Sequence, residues 1–154
     1  MIDTSVNIEA LNESSKGTLS EVLGIEFTEI HKKFLKSRMP VNQNTIQPLG
    51  LLNGGASAAL AETTGSMAAF LSLDRIKYYC LGLDLKINHI KSVSEGYVYA
   101  TATPVHIGNT THIWQISGSN ESGDLVFHSI LTMVILPMDE KSTKLFSRKL
   151  SHLL

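Results

Sequence analysis

The chain has 154 residues, a formal net charge of −1, 43% hydrophobic and 18% charged residues. That is one domain with room for a core, too apolar to be disordered and too neutral for the broad basic face of a general nucleic-acid binder. Cys80 is the single cysteine, which excludes an internal disulfide and a cysteine-based zinc site. No apolar run approaches the ~20 residues a membrane helix needs, and polar residues begin at Asp3 with no signal peptide before them, so a soluble, cytoplasmic protein is expected.

Residues 7–23 read as one or two short helices with Ile8, Leu11, Leu19, Val22 and Leu23 as apolar points, broken at Lys16-Gly17-Thr18. Gly24 to Ile30 and Lys33 to Val41 read as two strands. A loop punctuated by Pro48 and Gly50 leads to residues 54–71, GGASAALAETTGSMAAFL, about five turns of a helix that is small and apolar nearly all round and therefore buried. Leu81, Leu83, Leu85 and Ile87 then alternate with Gly82, Asp84, Lys86 and Asn88, the pattern of a half-buried strand. Strands follow at 97–107, 110–118 and 125–136, separated by Gly108-Asn109 and by a turn at 120–124. Short connections imply an antiparallel meander, and one buried helix with five or six strands implies an α+β fold with the helix packed on one face of a curved sheet. Pro137 closes this single domain, residues 1–137. The tail, 138–154, is expected to be loosely ordered, the alternative being a short amphipathic helix.

The chemistry centres on Glu62, the only charged residue between Arg38 and Asp74. A carboxylate in the middle of an apolar helix is costly unless it is hydrogen-bonded, at an interface or lining a cleft, and burial raises its pKa toward the range useful for acid–base work. The plainer alternative is a solvent-facing glutamate. Ser66 lies four residues on, on the same face, and can hydrogen-bond the carboxylate or serve simply as a small packing residue. Gly54-Gly55 opens the helix, where free backbone N–H groups can hold a developing oxyanion, and Asn53 stands at the N-cap position. The six histidines show no metal-ligand spacing, no phosphate-loop glycine pattern is present, and Cys80 reads as an ordinary strand residue. Neither a metal nor a cofactor is expected.

Gln47-Pro48-Leu49-Gly50-Leu51-Leu52-Asn53-Gly54-Gly55-Ala56-Ser57 and Leu60-Ala61-Glu62-Thr63-Thr64-Gly65-Ser66, read together, resemble the hotdog-fold acyl-CoA thioesterases of the PaaI type. Within that family the match is to the subgroup acting on dihydroxynaphthoyl-CoA and hydroxybenzoyl-type aryl-CoA. The similarity runs from about Leu11 to Leu136 and includes Gly82-Leu83, Asn88 to Ser92, Glu95-Gly96, His106 to Gly108 and His112 to Ile116.

The resemblance implies a long helix wrapped by an antiparallel sheet, paired edge to edge into homodimers and further into homotetramers, with the active site at the dimer interface. It implies catalytic roles for Gln47, Asn53 and Gly54 of one subunit and Glu62 and Ser66 of the other. Gly82, His89, Ile90, Lys91, Ser92, His106, Ile107, Gly108, Asn109, Thr110 and Thr111 would line the path of CoA. Glu62 would act as general base or nucleophile on the thioester of an acyl-CoA, with an aromatic acyl group expected and the Gly54 N–H as oxyanion donor. One departure stands out: the family usually has histidine where this chain has Asn53, which hydrogen-bonds and caps but does not titrate. Two other functions share the fold, a hydratase or dehydratase acting on acyl thioesters and a non-catalytic acyl-CoA-binding protein.

Overall fold

The computed structural model describes residues 1–147. Its elements are α1 (Ile8–Ser14), α2 (Leu19–Leu23), β1 (Glu26–His31), β2 (Phe34–Pro40), α3 (Gly54–Phe70), β3 (Tyr78–His89), β4 (Tyr97–Ile107), β5 (Thr111–Ser119), β6 (Leu125–Pro137) and α4 (Glu140–Ser147). The six strands form one antiparallel sheet, and α3 packs across it. This is the expected α+β architecture.

Small side chains let α3 lie close to the sheet. A Cβ on Gly65 would come within 2.6 Å of Leu131 Cδ2 and 3.1 Å of Ile116 Cδ1. Beneath the helix, β4 presents Ala100 and Ala102, both fully buried, and β5 presents Trp114 and Ile116. Trp114 Nε1 and Ser129 Oγ find no partner among the described residues, but the Ser37 and Thr64 hydroxyls lie 2.6 Å apart, and Thr64 also donates to the Leu60 carbonyl. Buried hydroxyls so satisfied carry little penalty.

Strand order corrects the simple meander. The order is β1-β2-β4-β5-β6-β3, so β3 follows β2 in sequence yet sits at the opposite edge. The 17 residues of α3 account for this, since a helix of that length spans ~25 Å and carries the chain across the sheet before β3 begins. The hairpins β1–β2, β4–β5 and β5–β6 are sequential, as expected.

The faces of β3 also differ from the alternation read in the sequence. Its pairing with β6 shifts register between Gly82 and Asp84, which places Leu83 in a bulge. A one-residue insertion moves later side chains to the other face. Leu85 and Ile87 pack against the core, whereas Leu81 and Leu83 are 51% and 67% exposed.

Past Pro137 the chain forms α4 up to Ser147, where loose order was expected, because Asp139 starts a helix there. The Asp139 carboxylate accepts from the Ser142 N–H at 2.7 Å, and the Ser142 hydroxyl accepts from the Asp139 N–H at 2.8 Å. The rest of the tail, 148–154, lies outside the described residues.

Candidate active site

Glu62 sits in the middle of α3, half-buried, with its carboxylate over β3. A Cβ on Gly82 would overlap Glu62 Oε1 and lie 3.2 Å from its Cδ, so glycine at this point of the strand makes room for the carboxylate. The Ser66 hydroxyl donates to Glu62 Oε1 at 3.3 Å, one helical turn on. Burial raises the Glu62 pKa above the ordinary carboxylate value, and the Ser66 hydrogen bond opposes that rise. The three expected residues Glu62, Ser66 and Gly82 therefore form one cluster.

A second cluster lies at the start of α3. Asn53 caps the helix, its Oδ1 accepting from the Gly55 N–H at 2.7 Å. None of the described residues accepts from the N–H of Gly54, which points out of the first turn as an orphan donor. His89, at the end of β3, packs against this point: a Cβ on Gly54 would come within 2.9 Å of its Nε2. Gln47 stands in a tight hairpin held by the bridge between Ile46 and Leu52, with Gly50 in the left-handed conformation. Its Oε1 accepts from the Leu49 N–H at 2.6 Å, so the amide NH2 is what Gln47 has to offer a ligand.

The remaining expected residues fall at the two ends of β3. His89, Ile90, Lys91 and Ser92 are exposed at its C-terminal end, where Lys91 pairs with Asp124 at 2.6 Å. His106 to Thr111 form the β4–β5 hairpin beside Tyr78, at its N-terminal end; Gly108 and Thr111 are half-buried there, and His106, Ile107, Asn109 and Thr110 are exposed. Through the registers of β5 and β6, His106 to Thr111 stand level with Asp84 to Leu81, so roughly 17–26 Å of extended strand separates them from His89 along β3 within one chain. Gly54 and Glu62, eight residues apart on one helix, are ~12 Å apart along its axis. One chain therefore holds the parts of the expected site but does not bring them to a single point.

An apolar cleft of about 330 Å³ opens beside Ser66 and Gly82, between α3 and β3. Met67 and Phe70 line it, together with Thr63, Cys80, Leu81 and Met133. Ala68, between Met67 and Phe70 on α3, is fully buried in the core. Cys80 and Met133 carried no local signal, because their place beside Glu62 comes from strand pairing across more than 50 residues of sequence. No group of three or more His, Cys, Asp or Glu side chains is arranged to hold a metal ion among the described residues. No helix among them is long and apolar enough to cross a membrane.

Residues 49–127, which carry α3 and most of the sheet, match the family model described as the Thioesterase superfamily. The chain belongs to this superfamily. Its relatives include the proofreading thioesterase EntH of Cronobacter turicensis, 42% identical over 131 residues, which covers 85% of this chain and 95% of that protein. The 1,4-dihydroxy-2-naphthoyl-CoA hydrolase of Escherichia coli is 40% identical over 131 residues, covering 85% and 96%. A crystal structure of a glutamine-to-alanine mutant of thioesterase PA1618 from Pseudomonas aeruginosa superposes with a TM-score of 0.87 at 40% identity, covering 89% of this chain and 99% of that one. The sheet and its central helix are thus the hotdog fold of the thioesterase superfamily, and the chain is a thioester hydrolase by family.

Proposed function

We propose that this thioesterase hydrolyses an acyl-CoA, with an aromatic acyl group the preferred class, at a site completed by two copies of the chain. The observation that carries the reading is the half-buried Glu62 carboxylate, hydrogen-bonded by Ser66, over a glycine and at the mouth of an apolar cleft. A carboxylate kept partly desolvated in this way is a stronger base than one in water.

The ~12 Å between Gly54 and Glu62 on one helix is too far for a carbonyl on one to be attacked from the other. β3 is an edge strand, free on one side. Antiparallel pairing of two β3 edges about a twofold axis swaps their ends. The Gly54 and His89 end of one copy then approaches the Glu62 of its partner, and residues 89–92 approach the partner's β4–β5 hairpin. Both separated pairs close through one operation, which is the argument for a homodimer as the minimal active unit. Association of two dimers into a homotetramer extends the same assembly.

In this site the orphan Gly54 N–H, at the positive end of α3, donates to the oxyanion that forms on the thioester carbonyl. The Gln47 amide donates to the same carbonyl or orients water. Asn53 holds the first turn of the helix in place. Glu62 takes a proton from water as its oxygen attacks the carbonyl carbon. The intermediate then expels CoA as thiolate, which recovers the proton from Glu62. Alternatively Glu62 attacks the carbonyl itself, expels the thiolate and is freed by water from the mixed anhydride. Heavy-oxygen water in a single turnover separates the routes, since label in the Glu62 carboxylate marks the covalent one. Residues 89–92, 106–111 and Gly82 line the way for CoA, with Lys91 the cation closest to hand for a phosphate once it leaves Asp124.

The deciding experiment is thiol release from benzoyl-, hydroxybenzoyl-, phenylacetyl-, hexanoyl- and palmitoyl-CoA, with Glu62→Gln as control. Release that the variant loses by ~100-fold or more is expected. Equal turnover by Glu62→Gln removes Glu62 from the mechanism. CoA binding without release from any of these substrates favours a binding protein or a hydratase.

A further inference from the structure

His89 ends β3, and its ring lies over the first residue of α3. A Cβ on Gly54 would stand 2.9 Å from its Nε2, 3.2 Å from its Cε1 and 3.5 Å from its Cδ2, so the ring occupies the space a side chain at 54 would need. The Cα–Cβ bonds of a helix tilt toward its N-terminus. The imidazole therefore sits at the rim of α3 toward which the free N–H groups point, beside the N–H of Gly54. Backbone geometry bounds the gap between the two groups. A Cβ lies ~2.5 Å from its own nitrogen, so Nε2 is no more than about 5.4 Å from the Gly54 nitrogen. An oxygen between them, at an ordinary ~2.8 Å from each, would accept from both.

The ring is firmly placed and its nitrogens are unused. His89 pairs with Phe127 of β6, and the N–H groups of Ile90 and Lys91 both donate to the Val126 carbonyl, at 2.8 and 3.2 Å. None of the described residues hydrogen-bonds either ring nitrogen. Asn53, next to Gly54, is an amide, and its oxygen is taken by the Gly55 N–H.

We infer that His89 is a catalytic residue, whose Nε2–H is a second donor, beside the Gly54 N–H, to the oxyanion of the tetrahedral intermediate. The inference rests on the thioesterase reading and gives His89 a part in the chemistry beyond lining the way for CoA. The imidazole keeps its proton throughout. Its hydrogen bond tightens as charge gathers on the carbonyl oxygen and relaxes when CoA leaves as thiolate. Gly54 then has two duties: it offers its own N–H and, lacking a Cβ, it admits the ring.

The test uses the reach of side-chain nitrogens. Glutamine carries its amide nitrogen to about the place of Nε2, whereas asparagine reaches only that of Nδ1. With benzoyl-CoA, His89→Asn is expected to lower kcat by about 10²-fold while KM moves by less than about threefold. His89→Gln is expected to keep at least about a tenth of the parent kcat, and added imidazole to recover part of the activity lost in His89→Ala. Binding is measured in parallel for two CoA thioethers that are not hydrolysed. The hydrated ketone of S-(3,3,3-trifluoro-2-oxopropyl)-CoA imitates the intermediate, and S-methyl-CoA has no carbonyl. His89→Asn is expected to weaken the ketone at least about tenfold and S-methyl-CoA by less than about threefold. His89 is exposed, so the variants are expected to keep the parent Tm.

A His89→Asn variant whose main change is a raised KM, or that weakens both ligands equally, overturns the assignment and leaves His89 a residue of the CoA path. His89→Gln as slow as His89→Asn, with no recovery of His89→Ala by imidazole, overturns the placement of the donor at Nε2. Benzoyl-CoA hydrolysis that needs Glu62 but not His89 defeats this inference and leaves the thioesterase reading standing. A parent protein that hydrolyses no acyl-CoA defeats that reading, and the ketone alone then reports on His89.

Discussion

Gly82→Ala isolates the position of the Glu62 carboxylate, the proposed catalytic group, from everything else in the fold. The new Cβ would overlap Glu62 Oε1 and lie 3.2 Å from Cδ, so the carboxylate must retreat by about 1 Å. A displacement of that size in a reacting group costs on the order of 10²-fold, which sets the expected loss in kcat. Folding should hardly notice. Gly82 lies in an exposed edge strand, its φ is not in the left-handed region, and alanine suits a strand better than glycine. The assay is steady-state benzoyl-CoA hydrolysis beside a thermal melt. A kcat within threefold of the parent, with an unchanged Tm, would refute the idea that the glycine exists to seat Glu62. A Tm lowered by more than ~4 °C would mean that the clash is relieved by the strand and not by the carboxylate.

Four further outcomes follow from the same geometry. Glu62→Gln should raise Tm at pH 7.5: burial lifts the folded-state pKa, so the folded chain binds more protons than the unfolded one between 4.5 and that raised value, and stability drops as pH climbs through the window. Ser66→Ala should move the acid limb of the kcat profile to higher pH, since the hydroxyl holds the carboxylate pKa down; an unmoved limb would show that the hydrogen bond is not made during turnover. Asn53→His should raise kcat by restoring the family residue while lowering Tm by ~2–4 °C, as the cap on Gly55, worth about 1 kcal/mol, is lost; a fall in kcat would mean the site has adjusted to asparagine. Gly65→Ala should destabilise by about 1–3 kcal/mol in a urea melt despite the better helix propensity of alanine, because Leu131 Cδ2 stands 2.6 Å from the new methyl in a fully buried site; a stabilised variant would show the helix free to lift from the sheet.

Much of the molecule was legible from local pattern. The small-residue helix with one carboxylate identified α3 and Glu62 together, and β4 to β6 followed from alternation bounded by Gly108-Asn109 and the 120–124 turn. Asn53 reads as a cap in sequence and is one in the structure. What escaped was non-local. Nothing near Tyr78 says that β3 crosses to the far edge, since that depends on the length and direction of α3. The Leu81-to-Ile87 alternation is real, but a bulge at Leu83 splits it between two faces, and a bulge has no signature in a run of alternating residues. Cys80 and Met133 belong to the cleft only because register sets them beside Ser66.

The two margins of the sheet are unlike. β1 is six residues long, interrupted by its own register shift, and its Glu26 and Glu29 are bound to Arg38 and Lys36 of β2. β3 is twice that length and carries two exposed leucines at its bulge. Charged, short and irregular strands discourage further addition, whereas long apolar ones invite it. A protein with one adhesive margin and one inert margin has a self-limiting valence. In the proposed dimer, pairing through β3 uses the one long apolar sheet edge among the described residues, so edge-to-edge addition of strands ends with two copies instead of running on as a fibre.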